Sequence, residues 1–269
     1  MKVAVIQLNS KLDYKENLSV ISGFLKEAKR ESVKAVFLPE CFYSMSDGIN
    51  PTPYLVERGN EHEENILNLA KQFNLNLIGG SVAYRENGVI LNRALNISRE
   101  GKILSYYDKI NLFSCDIFEN GKLKKSINEA DIYTPGKDLN TFSLNGAKFG
   151  NTICFDIRFP GLFNQMIQQN VDIITIPSAF TRKTGAIHWH LLNRARAIET
   201  QSFIISAAQV GEHNDRVKTY GHSLVIDPWG EVLLDLGGKN ASIGYADLNF
   251  DRIKSARNSI KVRKVEKEN

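Results

Sequence analysis

The sequence predicts an α/β fold with two sheets at its centre and helices outside, on three observations. Strand-length apolar stretches alternate with helical stripes over the first 82 residues, the middle of the chain switches to adjacent strands joined by tight turns, and the β-α-β pattern returns after residue 160. β-α-β units imply parallel pairing and hairpins antiparallel pairing, so both in one chain favour two packed sheets over a single parallel one. No repeat, linker or low-complexity tract divides the 269 residues, and one domain over 1–269 is expected, since α/β units of about 250 residues are common.

Each element follows from its own pattern. Met1-Lys-Val-Ala-Val-Ile-Gln-Leu8 reads as a buried strand, so no export signal is expected. Leu18, Ile21, Leu25 and Ala28 recur at helical spacing, and Val33 to Leu38 returns to a strand. Ile66, Leu67, Ala70 and Phe73 form a second helical stripe before the apolar segment Leu75 to Val82. Strands Ala94 to Ser98 and Lys102 to Tyr106 flank Arg99-Glu100-Gly101, and Thr141 to Leu144 and Lys148 to Cys154 flank Asn145-Gly146, a pair that suits a two-residue hairpin turn. Leu162, Phe163, Met166 and Ile167 predict a third helix, followed by a strand at Val171 to Ile176, a helix from about His188 to Thr200 and a strand at Ser202 to Ala208. Ser223 to Ile226, the turn Asp227-Pro-Trp-Gly230, Val232 to Leu236 and Ile243 to Asp247 complete the strands, and Phe250 to Arg263 is a terminal helix and tail.

Composition excludes several function classes. With 34 Lys and Arg against 30 Asp and Glu, and the basic residues dispersed except at Lys261-Val-Arg263-Lys264, nucleic acid is not an expected partner. The longest apolar runs, such as Ile173 to Ile176 and Phe203 to Ile205, fall far short of the roughly 20 residues a membrane helix needs, so no membrane association is expected. Cys41, Cys115 and Cys154 are odd in number and contain no Cys-x-x-Cys, which points to a reducing compartment, the cytoplasm. His188 and His190, two apart on a helix, do not share a face, so no metal is expected, nor any cofactor. His190 is expected in solvent, Cys41 in core packing and Cys115 as a loop thiol.

Three segments place reactive side chains at strand ends, where α/β folds assemble their sites: Phe37-Leu-Pro-Glu40, Tyr106-Tyr-Asp-Lys109 and Asn151-Thr-Ile-Cys154-Phe-Asp-Ile-Arg158-Phe-Pro160. Cys154 ends a strand just before a helix starting near Pro160, a setting expected to favour thiolate. Glu40 and Lys109 offer a base and a positive field. Taken singly, each has an ordinary structural reading, a core cysteine, a helix-starting acid or a surface lysine; together they suggest nucleophilic catalysis.

With these residues in place, the sequence resembles the nitrilase superfamily of carbon-nitrogen hydrolases from Val3 to about Val262. The family's Glu-Lys-Cys triad corresponds to Glu40 in Leu38-Pro-Glu-Cys41, Lys109 in Tyr107-Asp-Lys-Ile-Asn-Leu-Phe113 and Cys154 in Ile153-Cys-Phe-Asp-Ile-Arg-Phe159. The family's second glutamate corresponds to Glu129 in Asn128-Glu-Ala-Asp131, with Glu119 in the same region. Nitrilases proper tend to carry Cys-Trp-Glu; Cys154-Phe-Asp-Ile-Arg-Phe159 is similar instead to the branch of the ω-amidases and deaminated glutathione amidases. Pro177-Ser-Ala-Phe180, Thr184-Gly185, His188-Trp189, Arg194 to Gln201, Ala207-Ala-Gln209 and Tyr220-Gly-His-Ser223 through Gly230 resemble the latter more closely. The resemblance implies a four-layer α-β-β-α sandwich of the nitrilase type that forms a homodimer or higher homo-oligomer through a helical face.

It also implies an amidase acting on a small carboxylate-bearing amide through a cysteine thioester: deaminated glutathione, giving α-ketoglutarate and Cys-Gly, or alternatively α-ketoglutaramate or another small amide or carbamoyl compound. In that scheme Glu40 is the general base, Lys109 and the Phe155 N–H stabilise the oxyanion, and Glu129 supports the lysine and the substrate. Arg158 is placed to bind the acyl-group carboxylate, or else to pin the turn through Asp156, and His188 lies beside the pocket. The loop from Ser178 to Gly185 is expected at the rim, where Arg182 and Lys183 face the leaving group's carboxylate. The contrasting class is a catalytically silent scaffold, which has no need of Glu40, Lys109 and Cys154 together.

Overall fold

The computed structural model describes residues 1–119 and 121–262, without the side chains of 117–119, 124 and 125. The first half runs β1 (Lys2–Gln7), α1 (Tyr14–Arg30), β2 (Ala35–Phe37), α2 (Glu61–Phe73), β3 (Leu77–Ile78), β4 (Ser81–Glu86), β5 (Val89–Ile97), β6 (Ile103–Asp108) and the hairpin of β7 (Ser114–Glu119) and β8 (Lys122–Asn128). The second runs β9 (Thr141–Leu144), β10 (Ala147–Asn151), α3 (Pro160–Gln168), β11 (Ile173–Thr175), α4 (Arg182–Thr200) and β12 (Phe203–Ser206). It continues with the hairpin of β13 (Val210–Glu212) and β14 (Lys218–Tyr220), then β15 (Leu224–Ile226), β16 (Val232–Asp235), β17 (Ser242–Asp247) and α5 (Asp251–Ser259).

Two sheets result. One has the order β17-β1-β2-β3-β5-β4 with β6 also on β5, and the other has the order β16-β15-β12-β11-β10-β9. Parallel pairs (β1 with β2, β2 with β3, β10 with β11, β11 with β12) form the middle of each, and antiparallel strands flank them. Alternate residues of a strand face opposite sides, and here the two sides belong to different cores. Val3, Val5, Phe37, Ile173, Phe203 and Ile205 meet between the sheets, where Phe37 stacks on Phe149 with centroids 6.4 Å apart. Ala4, Ile6 and Val36 turn outward onto Ile21, Leu25, Ile66 and Phe73 of α1 and α2. Ile174 and Ile204 turn outward onto Phe163, Met166, Trp189 and Ala197 of α3 and α4. The layers are therefore α-β-β-α, and burial on both faces is why the central strands read as unbroken apolar runs.

Several boundaries differ from expectation. Asn145 and Gly146 take positive φ to join β9 to β10, and a second Asn-Gly pair, Asn87 (φ 51°) and Gly88 (φ 81°), joins β4 to β5, so strands extend from both sides toward residues 87–88. β10 ends at Asn151 rather than Cys154, because residues 154–158 form a single 3₁₀ turn. α4 starts at Arg182 rather than near His188. Gly185 hides that first turn from a propensity reading, yet it is required there: a Cβ on Gly185 would lie 2.4 Å from the Cβ of Tyr220 in β14. α5 matches the expected terminal helix; Arg263, Lys264 and the tail beyond them lie outside the described residues. Among the described residues no helix is long and apolar enough to cross a membrane.

Candidate active site

The two sheets bring their strand ends to one place. Glu40 follows β2 by three residues, Lys109 directly follows β6, and Cys154 follows β10 by three residues, so one sheet supplies the carboxylate and the ammonium and the other the thiol. All three, with Glu129 from the 3₁₀ turn Glu129–Asp131, line a cavity of about 650 Å³.

Lys109 is the hub. Its Nζ donates to Glu40 Oε1 at 2.9 Å and reaches Glu129 Oε2 at 2.8 Å, with only 1% of its side chain exposed. Glu40 is equally enclosed: Oε1 also accepts from Asn92 Nδ2 at 2.9 Å, and Oε2 accepts from the Ala179 N–H at 2.7 Å. Glu129 Oε2 accepts from the Phe113 N–H at 2.8 Å. A buried carboxylate with this many donors is held in one rotamer. Burial works against the charge on Lys109, but Glu129 and Glu40 outweigh it and hold the ammonium well above its usual range. Burial raises the Glu129 carboxyl, with Lys109 pulling it down and Glu40 pushing it up.

Cys154 sits on a bend. Its φ is 46°, a left-handed conformation uncommon outside glycine. Three interactions hold it: the Cys154 N–H donates to Pro177 O at 2.9 Å, the Ile153 N–H donates to Asp156 Oδ2 at 2.9 Å, and the Asp156 N–H returns to Ile153 O at 3.0 Å. Asp156 is itself anchored by the Tyr107 hydroxyl at 2.8 Å and by the Asn111 N–H and Nδ2 at 2.9 and 2.8 Å. The expected thiolate is not what this setting favours. Burial first, and then the Glu40 carboxylate, push the thiol well above its ordinary value, while Lys109 and the Ala179 N–H pull less strongly the other way. A thiol pushed upward in this way needs a base in order to attack, and Glu40 is the carboxylate felt most strongly there.

Arg158 lines the cavity and does not pin the turn through Asp156, whose oxygens are taken by Tyr107, Asn111 and Ile153. Its guanidinium lies 3.2 Å from His188 Nδ1 and over the rings of Phe180 and Phe155 at 5.2 and 5.9 Å. Among the described residues no carboxylate pairs with it. Phe155, also in the wall, packs edge-on to Phe113 and Phe159. His188 thus reaches the cavity through Arg158 rather than directly. Arg182 and Lys183 do lie at the cavity, but on the first turn of α4 rather than in a loop, and Arg182 is 3.5 Å from Glu212.

Other lining residues were not singled out by the sequence. Arg216 and Lys218 come from the β13–β14 hairpin, which carries little hydrophobic patterning, and Lys218 also pairs with Glu212 at 2.9 Å. Cys41 and Cys115 both line the cavity beside Cys154, so Cys41 is no mere core residue and Cys115 belongs to β7 rather than to a loop. The side chain of Glu119 lies outside the described residues. His190, expected in solvent, is half-buried and bonded to Asp235 at 2.9 Å.

Comparison with known proteins agrees with this architecture. Residues 2–258 match the family model for carbon-nitrogen hydrolases. A deaminated glutathione amidase of Dictyostelium discoideum is 35% identical over 271 residues, covering 97% of this chain and 92% of that one. The omega-amidase NIT2 of Homo sapiens is 31% identical over 261 residues, covering 97% and 93%. The crystal structure of Saccharomyces cerevisiae Nit3, a member of branch 10 of the nitrilase superfamily, superposes with a TM-score of 0.86 at 30% identity, over 99% of this chain and 96% of that one.

Proposed function

The chain belongs to the carbon-nitrogen hydrolase family, with the nitrilase fold and an amide as its class of substrate, and from that premise we propose that it hydrolyses deaminated glutathione through a thioester on Cys154. The observation that carries this reading is the convergence of Glu40, Lys109, Cys154 and Glu129 on one cavity. Glu40 takes the thiol proton as Sγ bonds to the amide carbon, and Lys109 with the Phe155 N–H neutralises the oxyanion. The proton passes from Glu40 to the leaving amine as the C–N bond breaks. Water, deprotonated by Glu40, then cleaves the thioester and releases the carboxylate and the thiol. Glu129 positions Lys109 through its own contact with the ammonium.

Two features support the larger of the two branch substrates. A cavity of about 650 Å³ has room beyond a five-carbon acyl group. Its cations are also split between wall and rim: Arg158 for the acyl carboxylate, and Arg182 and Lys183 for the glycine carboxylate of a dipeptide leaving group. α-Ketoglutaramate, which shares the acyl group, remains the second reading because omega-amidase NIT2 is so similar to this chain. Hydrolysis of the two amides side by side decides: a higher kcat/KM for deaminated glutathione is expected, the reverse order assigns an ω-amidase, and turnover of neither overturns both. A scaffold is set apart by thiol trapping, since it should show no fast, pH-dependent alkylation of Cys154.

We assign the whole chain to one catalytic unit that works as a homodimer. Ile187 and Leu191, 69% and 68% exposed one turn apart on α4, supply an apolar face for such a contact, and sizing by light scattering tests it. Three unpaired cysteines suit a reducing cytoplasm.

A further inference from the structure

Away from the cavity, three side chains from three separate segments converge. His190 lies on the third turn of α4, His222 between β14 and β15, and Asp235 at the end of β16. His190 Nε2 is 2.9 Å from Asp235 Oδ2, and His222 Nδ1 is 2.9 and 3.1 Å from Asp235 Oδ1 and Oδ2. One ligand atom from each lies within 4.8 Å of the other two. We propose that His190, His222 and Asp235 form a site for a divalent transition-metal ion of the zinc type, independent of Cys154.

The donor set fits that ion. Two imidazoles and one carboxylate leave a fourth tetrahedral position for water, with bonds of about 2.0–2.2 Å reached by small side-chain movements from the present spacing. Asp235 has no lysine or arginine partner among the described residues; both of its side-chain partners are imidazoles. The cluster therefore offers one carboxylate and two ring nitrogens, a nitrogen-oxygen donor set that suits a zinc-type dication.

The surroundings orient each ligand. The Gly237 N–H donates to Asp235 Oδ1 at 2.8 Å and fixes the carboxylate, and both imidazoles come within 3.1 Å of Oδ2. His222 adopts a left-handed φ of 55°, its ring stacks on Tyr220 with centroids 4.4 Å apart, and a Cβ on Gly238 would lie 3.0 Å from its Nε2. Its Nδ1 faces Asp235. Neither ring of the pair faces the cavity: His188, two residues earlier on α4, is the histidine that meets Arg158. An ion here ties α4, whose first turn carries Arg182 and Lys183, to the edge strand β16.

Zinc titration of the full chain by calorimetry tests the proposal, using Cys154→Ala protein so that the active-site thiol cannot bind the ion. One zinc per chain and a higher Tm with zinc are expected in this background. His222→Ala, Asp235→Asn and His190→Gln should each weaken binding by at least about 100-fold, the upper end of what losing a supporting partner alone costs. His190→Gln sits on an accessible helix position and carries the test if the other variants fail to fold. Cobalt should bind with d–d bands and no thiolate charge-transfer band. Zinc binding that disappears with Cys154→Ala, that survives all three ligand changes, or that is absent altogether overturns the site.

Discussion

The floor and the rim of the cavity are built from the same kinds of charge, yet they differ in what those charges do. On the floor, Lys109 and Glu40 are 1% and 3% exposed, and both Glu40 oxygens have fixed donors. At the rim, Arg182 and Glu212 are 54% and 56% exposed and 3.5 Å apart. Water screens the rim pair and competes for it, so its geometry is loose and its contribution small. The floor pair is almost fully enclosed by protein, so each charge there depends on its partner, and losing one leaves the other poorly compensated in a low dielectric. Chemistry that needs a fixed proton inventory belongs on the floor; the rim can only bias how charged ends approach.

This contrast is tested first where the largest effect is expected. Cys154→Ala should abolish amide turnover while Tm stays near that of the unaltered protein, because little packing volume is removed; more than trace activity would exclude Cys154 as the nucleophile. Lys109→Ala should both inactivate and destabilise: with Glu40 and Glu129 left without their shared cation, a stability loss of about 3–5 kcal/mol is expected by denaturant titration, the range for breaking a buried ion pair. An unchanged denaturation midpoint would show that the floor charges do not depend on one another for stability.

Glu40→Gln keeps the shape but removes the base, and a drop in kcat of roughly 10²–10⁴ is expected for loss of general acid-base catalysis. The same change separates field from chemistry. Burial and then Glu40 raise the Cys154 thiol, so without the carboxylate the pH midpoint of its alkylation should move down, even as amide turnover falls. A midpoint that moves up would mean that Glu40 does not act on the thiol through its charge.

Arg158, half-buried between floor and rim, should show an intermediate effect. Arg158→Ala is expected to cost about 2 kcal/mol in kcat/KM for carboxylate-bearing amides, the low end for truncating one partner of a charge pair, and much less for uncharged ones. Equal losses on both would make the arginine structural. Smallest of all, Arg182→Ala with Lys183→Ala should raise KM a few-fold for deaminated glutathione and leave α-ketoglutaramate unchanged. Equal effects on the two substrates would remove the rim from leaving-group recognition.

The sequence by itself determined the layers and the reacting residues. A strand buried on both faces is apolar at nearly every position, and the run Ile173-Ile174-Thr175-Ile176 records that directly; Glu40, Lys109 and Cys154 stand in motifs at strand ends, where local pattern and chemistry coincide. Three features were decided only in three dimensions. The protonation of Cys154 depends on burial and on Glu40, 114 positions away in the chain, whereas the local cue of a following helix pointed to thiolate. The start of α4 depends on Gly185 fitting beneath Tyr220, a packing constraint that lowers local helix propensity. His190, His222 and Asp235 are scattered over 46 residues and form no spacing motif, because the helix and the two strand ends that carry them become neighbours only when α4 packs across the sheet. Local patterns report what a residue needs from its immediate neighbours; charge and ligand geometry depend on everything within a few ångströms, which the chain order does not contain.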